Sequence, residues 1–368
     1  MLSLAPRFPE SAPGSFIRVP HLVAAPDKFR GTLSAAAVAA AAGRAARAAG
    51  WTADEVPMSD GGEGLLDVLG GTRHATLVTG PLGARVEAEW RMLGPTDDEG
   101  RPTAVVEMAR AAGRALLPRP RGDDAVRAGT AGVGQLLLDA RDAGARRIVI
   151  GCGGSATTDG GLGAYEAVGS PAALEGIDLV VACDVTTRFA DAAAVFGPQK
   201  GATSAQVVAL GDRLIAVAAR YRRETGIDVS DVPGGGAAGG LAGGLVALGA
   251  RIEPGFDLVA GLVGLAGRLQ RADLVVTGEG HLDPPSFRGK VPGGVLELAR
   301  AGRAGRAPAP PVQVLCIAGG ADASLLASPP PGLEVVSLTV RFGRARAHGE
   351  TAGLINLVTA EALSRFCP

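Results

Sequence analysis

Short apolar runs, each followed by a polar or glycine-rich loop, recur along this chain of 368 residues. They are rich in Val, Leu and Ile and show little alternation with polar residues, as expected for strands buried on both faces of a parallel sheet. The clearest candidates are His21–Pro26, Arg147–Ile150, Asp178–Asp184, Asp273–Gly280 and Val312–Ala318. Helical patterns such as Ala35–Ala49 and Ser204–Arg223 separate them. The pattern therefore predicts an α/β protein.

The pattern changes between Thr76 and Met92, where apolar and charged residues alternate around Pro81-Leu82-Gly83. Alternation with a period of two predicts a half-exposed hairpin. Strand–helix alternation lies on both sides of it, so we expect a discontinuous parallel-sheet domain with a mixed α/β domain inserted into it. The expected outer domain comprises 21–75 and 283–368, the inserted domain 76–282, and 1–20 a disordered lead-in.

Charge and composition favour small-molecule ligands. The formal net charge is −1 and the pI about 6.5, so the chain lacks the basic surface that nucleic acid or an anionic membrane would require. The longest uncharged run, Val232–Ala250, is too rich in glycine for a membrane helix and predicts a loop that leads into a short buried helix. The first twenty residues carry Pro and charge where a secretory signal needs an unbroken apolar run.

The cysteines and lysines are informative through their spacing and their number. Four widely separated cysteines without a CxxC pair indicate neither a disulfide framework nor a zinc site, and favour a reduced cytoplasmic location. Only Lys28, Lys200 and Lys290 are lysines among the 36 basic residues. A lysine presents a compact charge to a phosphate, which the broad guanidinium does not. Chance placement is the alternative explanation.

The glycine-rich stretch Gly151–Gly163, with the sequence GCGGSATTDGGLG, follows a predicted strand. Glycines allow backbone N–H groups to approach an anion, and the neighbouring hydroxyls add donors. The stretch therefore suits phosphate and a metal, although a plain strand-to-helix turn has the same composition. Its first six residues also match the GxGxxA fingerprint of nicotinamide cofactors, but the TTDGG sequence interrupts the helix that this fingerprint requires, and the motif lies in the middle of the chain.

Several predicted strands end in loops that contain an acid or a lysine. Parallel strands place such ends at one edge of a sheet, so these groups can share a cleft. Phosphoryl transfer requires carboxylates for Mg²⁺ and for the proton of the attacking hydroxyl, together with cations for the phosphoryl charge. The sequence contains no Walker A motif, serine nucleophile elbow or HExxH motif. Of the four histidines only His281 lies in a candidate loop, and a structural role is favoured for each.

Seven motifs in a fixed order resemble the bacterial glycerate kinase family, which phosphorylates D-glycerate with ATP and Mg²⁺. They are APDKFRGTLSA, DGGEG, GCGGSATTDGG, ACDVT, AVFGPQKGA, GGGAAGG and VVTGEGHLD followed by GK. The resemblance implies a discontinuous flavodoxin-like domain, an inserted domain and an active site between them, and it favours 2-phosphoglycerate over 3-phosphoglycerate as the product. The chain departs from the family at Thr187, Arg188 and His281, and in a shorter connection between Gly163 and Asp178.

The resemblance and the residues together suggest specific roles. The predicted catalytic residues are Asp184, Asp159, Lys200 and Lys290, with Asp184 the first choice for the base. The predicted substrate-binding residues are Lys28, Arg30, Asp60, Gly61 and Gly62. The predicted phosphate- or nucleotide-binding residues are Gly153, Gly154, Ser155, Thr157, Thr158, Glu279 and Asp283. Asp184 and Glu279 are the predicted Mg²⁺ ligands.

Two other functions remain open from the sequence. A catalytically silent homologue that binds a nucleotide or a small organic acid is the main alternative, because of the short connection after Gly163. An NAD-dependent dehydrogenase is a more distant one. The expected partners are glycerate and ATP, without nucleic acid or membrane, and the sequence does not distinguish a monomer from a homo-oligomer.

Overall fold

The computed structural model describes residues 18–96, 100–117, 122–302 and 312–366. The predicted disordered lead-in, 1–20, lies outside these residues except for its last three positions. The strands are β1 His21–Ala24, β2 Thr52–Glu55, β3 Thr72–Thr79, β4 Arg85–Pro95, β5 Pro102–Glu107, β6 Arg147–Gly151, β7 Asp178–Ala182, β8 Arg251–Glu253, β9 Leu274–Leu282, β10 Gln313–Ala321 and β11 Leu333–Ser337.

The α-helices vary from single turns to six turns in length. They are α1 Ala35–Ala48, α2 Leu65–Leu69, α3 Ala109–Ala112, α4 Asp124–Arg127, α5 Ala131–Asp142, α6 Leu162–Val168, α7 Ala192–Phe196, α8 Ser204–Thr225, α9 Ala237–Ala247, α10 Gly255–Leu262, α11 Leu265–Leu269, α12 Val291–Ala301, α13 Ala323–Ala327, α14 Leu338–Phe342, α15 Arg344–Gly349 and α16 Thr351–Ser364. Local sequence explains several of their ends: the Ser34 side chain accepts a hydrogen bond from Ala37 N at 3.2 Å and so caps α1.

The first sheet is flavodoxin-like, as the sequence predicts. Its five strands lie in the order β11-β10-β9-β1-β2, and all of its pairings are parallel. This is the flavodoxin order 2-1-3-4-5, in which the direction of strand addition reverses between β1 and the strand beside it, here β9. Ligands of such sheets bind at the carboxyl ends of the strands, near this reversal.

The second sheet is mixed, and the chain enters it after β2 and leaves it before β9. Its six strands lie in the order β3-β4-β5-β6-β7-β8. The β3–β4 and β4–β5 pairs are antiparallel, which confirms the predicted hairpin, and the remaining pairs are parallel. The two-domain α/β fold with a discontinuous outer sheet and an inserted mixed sheet is therefore confirmed.

Strand pairing differs from the predicted boundaries at two places. β9 pairs with β1 and β10, although the boundary at 282 assigned it to the inserted domain. β3 starts at Thr72 and pairs with β4, although 72–75 were assigned to the outer domain. Both differences arise because hydrogen bonding between strands, which defines a sheet, is not visible in local patterning. We therefore propose boundaries near 71 and near 272.

A shared apolar core joins the two sheets. Val23 and Val275 of the first sheet belong to the same buried cluster as Val105, Val149 and Val180 of the second. The last three are register partners, and the residues that flank them face a different cluster on the far side of the sheet. Helices α2, α10, α11 and α12 fill the space between the sheets. The relative position of the two sheets is thus fixed by buried apolar surface.

The glycine-rich run Val232–Ala250 contains a buried helix, α9, as predicted. The helix is interrupted at its start, where Ala238, Gly239 and Gly240 have positive φ angles. Within the described residues, no helix is both long enough and apolar enough to cross a membrane.

Candidate active site

A cavity of about 570 Å³ lies where the carboxyl ends of strands from both sheets meet. The first sheet contributes the loops after β1 and β2, and the start of α12. The second sheet contributes the loops after β5, β6 and β7. The residues that line it are Arg30, Asp60–Glu63, Ala109, Arg114, Ala115, Cys152–Ser155, Ala182–Val185, Phe196, Gln199, Lys200, Ala237, Ala238 and Lys290.

Most of the predicted site residues therefore come together. The cavity is lined by Arg30, Asp60, Gly61, Gly62, Gly153, Gly154, Ser155, Asp184, Lys200 and Lys290. The others predicted for the site do not line it: Lys28, Thr157, Thr158, Asp159, Glu279 and Asp283. The single cleft expected at the strand ends is present, but it is lined by only some of the residues predicted for the site.

The first half of the glycine-rich stretch, Gly153–Ser155, forms one wall of the cavity. A Cβ atom at Gly153 would lie 2.7 Å from both Gly62 Cα and Glu63 N, so only glycine allows this close approach of two loops. Ser155 forms an isolated β-bridge with Gly113, and Arg114 N donates to Gly154 O at 2.9 Å. The wall is therefore held on both sides by backbone contacts.

The second half of the stretch is buried behind this wall. Thr157, Thr158 and Asp159 are almost fully inaccessible to solvent. The Asp159 carboxylate accepts hydrogen bonds from Thr130 N, Thr130 Oγ1, Gly161 N and Gly163 N at 2.8–3.2 Å. With four donors it is fully engaged in holding the loop to α5 and α6. The predicted catalytic role of Asp159 and the predicted phosphate contacts of Thr157 and Thr158 have no support in this geometry.

Asp184 and Asp60 are two carboxylates that line the cavity, and the charge of Asp60 acts on Asp184. Burial raises the pKa of Asp184, the Asp60 carboxylate raises it further, and Lys290 and Arg30 lower it. The Asp60 loop is itself held from the second sheet, because the buried Glu107 at the end of β5 accepts hydrogen bonds from Gly64 N and Leu66 N at 2.8 and 3.1 Å. Two acids and two cations thus face one another across the two sheets.

Lys200 is a buried cation that lines the cavity from the segment between α7 and α8. Burial lowers the pKa of its ammonium to about 8, and the Asp159 carboxylate opposes that shift. Its Nζ donates to Thr157 O, so the second half of the glycine-rich stretch orients it. Beside it Ala238 has a φ of 53°, the one non-glycine residue with positive φ in the described chain. Such backbone strain is typical of positions whose geometry a site requires.

Lys28 and Asp283 hold loops around the cavity, and Glu279 lies at the end of β9. Lys28 Nζ donates to Glu63 O and lines a neighbouring cavity of about 370 Å³. Burial, with a contribution from Asp27, raises the pKa of Glu279 to about 7. Asp283 Oδ1 accepts hydrogen bonds from Ser286 N and Oγ at 3.0 and 2.8 Å, which caps the 3₁₀ turn before Lys290.

Several residues that line the cavity were not predicted. Arg114 follows α3 and its Nη1 donates to Gln199 O at 2.6 Å, which places its side chain between the glycine wall and the Lys200 loop. Cys152 and Cys183 also line the cavity, each one position beyond the register partners Gly151 and Ala182, and burial raises the pKa of both thiols. Only the position of Arg114 in the fold distinguishes it from the many other arginines.

The acids of the cavity fit an ion that is shared with a phosphate. The described residues contain no group of three or more His, Cys, Asp or Glu side chains arranged to hold a metal. Mg²⁺ usually binds to one or two carboxylates and completes its shell with water and substrate phosphates. Asp60 and Asp184 can supply that pair, whereas Glu279, the second ligand predicted from the sequence, does not line the cavity.

No α-helix begins within the residues that match the nicotinamide fingerprint, Gly151–Ala156. β6 ends at Gly151 and the next α-helix, α6, starts only at Leu162. A pyrophosphate in a dinucleotide site binds at the N-terminus of a helix that begins within the fingerprint itself. The geometry of this loop is therefore unlike that of a dinucleotide-binding turn.

Comparison with known proteins identifies the family. The sequence profile of the Glycerate kinase family matches residues 22–173 and 170–338, which is most of the chain. The chain belongs to the glycerate kinase family. The two matches overlap at 170–173, inside the connection between Gly163 and Asp178.

Relatives from several bacteria support this membership in the glycerate kinase family. The chain is 38% identical over 318 residues to the glycerate 2-kinase of Escherichia coli (strain K12), with 76% of this chain and 82% of that protein covered. It is 37% identical over 317 residues to the glycerate kinase of Bacillus subtilis (strain 168), with 76% and 81% covered. A crystal structure of a Salmonella typhimurium LT2 protein, proposed to be glycerate kinase 2, has a TM-score of 0.75 and 32% identity, with 94% of this chain and 99% of that chain covered.

Proposed function

We propose that this member of the glycerate kinase family is a glycerate kinase, which transfers the γ-phosphoryl group of ATP to a hydroxyl group of D-glycerate. The observation that carries the proposal is one cavity lined by Asp184, Asp60, Lys290, Lys200 and the Gly153–Ser155 wall. Phosphoryl transfer requires a carboxylate for the hydroxyl, cations for the phosphoryl oxygens and donors that fix its position. The cavity contains each of these.

Glycerate binding is proposed to use the first-sheet side of the cavity. Arg30 can pair with the glycerate carboxylate, and Asp60 can accept hydrogen bonds from its hydroxyl groups. The Asp60 side chain is already oriented, because its Oδ1 accepts a hydrogen bond from Gly62 N at 3.1 Å. Lys28, Glu279 and Asp283 are proposed to position these loops without contacting glycerate.

The transfer step is proposed to use Asp184 as the base. Its carboxylate accepts the proton of the attacking hydroxyl while that oxygen forms a bond to the γ-phosphorus. The bond between this phosphorus and the β–γ bridging oxygen breaks, and ADP leaves with the electron pair. A raised pKa brings a carboxylate closer to the proton affinity of its substrate, which favours general-base catalysis. Lys290, Lys200 and the backbone N–H groups of Gly153–Ser155 are proposed to neutralise the phosphoryl oxygens.

Asp60 and Asp184, which both line the cavity, are the residues that would hold a Mg²⁺ ion brought in with ATP. When bound, the ion neutralises charge on the transferring group.

The favoured product is 2-phosphoglycerate. Its support is the name of the Escherichia coli relative, glycerate 2-kinase, which matches over most of both chains. The alternative product is 3-phosphoglycerate.

A coupled assay of ADP release with D-glycerate, ATP and Mg²⁺ tests the proposal. We expect turnover that depends on all three and that falls by at least about 100-fold in the Asp184→Asn variant. The catalytically silent homologue is a second candidate, since the family profile matches in two stretches that meet within the short connection after Gly163. Calorimetric binding of ATP or glycerate without ADP release would favour that candidate and eliminate the kinase.

A further inference from the structure

A second cavity, of about 330 Å³, opens at the carboxyl edge of the first sheet, beside the active site. We propose that it binds the α- and β-phosphates of the nucleoside triphosphate, while the γ-phosphoryl group lies in the larger cavity. The inference rests on the proposed kinase function and adds a nucleotide subsite to it. The residues that line this cavity are Phe29, Arg30, Thr32, Gly280, His281, Gly319–Ala321, Thr339, Arg344, Ala347 and His348.

Strand order supports a ligand at this position. Phe29–Thr32 follow β1, and Gly280 and His281 lie at the end of β9. The direction of strand addition reverses between these two strands, so the loops beyond them diverge and leave a crevice. Ligands of flavodoxin-like sheets bind in this crevice.

The charge of the cavity suits an anion. Two arginines, Arg30 and Arg344, and two histidines, His281 and His348, line it, and no described carboxylate does. Asp322, which does not line the cavity, lies 3.1 Å from His281 Nε2 and orients that ring. Arg344 is exposed and makes no ion pair within the part of the chain that the structure describes. A guanidinium without a carboxylate partner is available for phosphate oxygens.

Backbone packing makes the floor of the cavity narrow and polar. A Cβ atom at Gly319 would lie 2.5 Å from Gly280 O, so β9 and β10 approach each other here as only glycine permits. One at Gly320 would lie 2.9 Å from His281 Nδ1. Side chains are thus excluded from the floor, and a ligand there meets peptide groups and imidazole.

Arg30 joins the two cavities, because it lines both of them. A triphosphate that enters the smaller cavity would therefore pass this guanidinium before its γ-phosphoryl group reaches Lys290, Asp184 and the Gly153–Ser155 wall. Arg30 then serves both the substrate carboxylate and the phosphate chain. This arrangement accounts for two substrates in one cleft with a cation at their junction.

The test compares two arginines of one helix. Arg344 lines the cavity, whereas Arg346, two residues along, pairs with Glu350 at 2.8 Å and does not line it. We expect Arg344→Gln to weaken ADP binding in isothermal calorimetry about tenfold, as loss of one charge-assisted contact does. Arg344→Lys should recover part of the affinity, and Arg346→Gln should bind ADP like the wild type. Thermal melts should show all three variants folded, because both side chains are exposed.

Steady-state kinetics separate this subsite from the glycerate site. Arg344→Gln should raise the KM for ATP and leave the KM for D-glycerate unchanged. Wild-type ADP affinity in Arg344→Gln, an equal loss in Arg346→Gln, a change confined to the KM for glycerate, or no ADP binding by the wild type would each overturn the inference. ADP binding that depends on Arg344 in a protein without glycerate turnover would retain the subsite and defeat the proposed function instead.

Discussion

The two halves of the glycine-rich stretch both combine glycines with hydroxyl side chains, but they lie in opposite environments. Gly153–Ser155 lines the cavity, and its contacts with neighbouring loops are made by backbone atoms. Thr157–Gly163 packs into the interior of the inserted domain, where Asp159 binds four donors. A fully satisfied carboxylate stabilises a fold, whereas chemistry requires one that is open to a ligand. We therefore propose the catalytic role for Asp184, which lines the cavity, and a structural role for Asp159.

The largest expected effect tests the cavity side of this comparison. Asp184→Asn removes the proposed base and one proposed metal ligand, so kcat should fall by about 100-fold to 1,000-fold. The side chain packs in the cavity and not in the core, so the melting temperature should stay within about 2 °C of the wild type. Kinetics and a thermal melt of the same preparation check both. Turnover like the wild type would remove Asp184 from the mechanism.

The same substitution in the interior should have the reverse effect. In Asp159→Asn the amide presents an N–H group to donors that now bind a carboxylate oxygen, which should cost about 3 kcal/mol of unfolding free energy. The folded fraction should keep most of its kcat, after a small loss through Lys200 and its partner Thr157. Denaturant titration and kinetics at low temperature measure the two quantities. Normal stability with abolished turnover would reverse the assignment of the two acids.

Glu279 extends the comparison to a largely buried acid whose Oε1 accepts no hydrogen bond from the residues that the structure describes. Burial raises the pKa of this group from 4.5 to about 7 in the folded state. Between these values the folded protein retains a proton that the unfolded chain loses, so this contribution to stability is present at low pH and is lost as the pH rises through about 7. Glu279→Gln should therefore gain about 2 kcal/mol relative to the wild type on going from pH 5 to pH 8. An equal difference in unfolding free energy at the two pH values would show that Glu279 does not titrate in this range.

The smallest expected effect concerns Arg114, whose backbone N–H donates to Gly154 O in the part of the glycine-rich stretch that lines the cavity. Arg114→Gln removes one cation from the cavity and should reduce kcat/KM about tenfold, without a change in melting temperature. Arg110→Gln is not a suitable control, because Arg110 binds the buried Glu107 at 3.1 Å. Arg188→Gln is better matched, since Arg188 pairs with exposed Asp231 and does not line the cavity. Equal kinetics of the Arg114 and Arg188 variants would exclude a role for Arg114.

The local sequence predicted the strands that are buried on both faces and therefore appear as continuous apolar runs. The apolar runs that become β1, β6, β7, β9 and β10 were visible because both of their faces are covered. β2, with the sequence TADE, was missed because it is a short, mostly polar edge strand. The apolar pattern continues beyond β11 to Val340, but the strand ends at Ser337, since the Ser337 hydroxyl accepts a hydrogen bond from Val340 N and starts α14.

The site could be predicted as a set of loops, but the orientation of single side chains could not. Lys28 and Arg30 are two residues apart, yet Arg30 lines the main cavity and Lys28 is bound to Glu63 O. Asp159 lies in a glycine-rich stretch and Asp184 follows a predicted strand, so the local sequence makes both of them site candidates. Only tertiary contacts show that Asp159 is buried and that Asp184 lines the cavity. The rarity of lysine was a useful guide for Lys200 and Lys290, whereas Arg114 had no comparable signal.

Phosphorus NMR of the product shows directly whether the protein transfers the γ-phosphoryl group of ATP to glycerate. Purified protein is mixed with ATP, Mg²⁺ and D-glycerate, and the phosphorus spectrum is followed over time. We expect the γ-phosphate resonance to decline as a phosphomonoester resonance appears, with its phosphorus coupled to the proton on C2 of glycerate. In Asp184→Asn this resonance should appear at least about 100-fold more slowly. An unchanged ATP spectrum, or inorganic phosphate without any phosphoglycerate, would contradict the assignment of this cavity to glycerate phosphorylation.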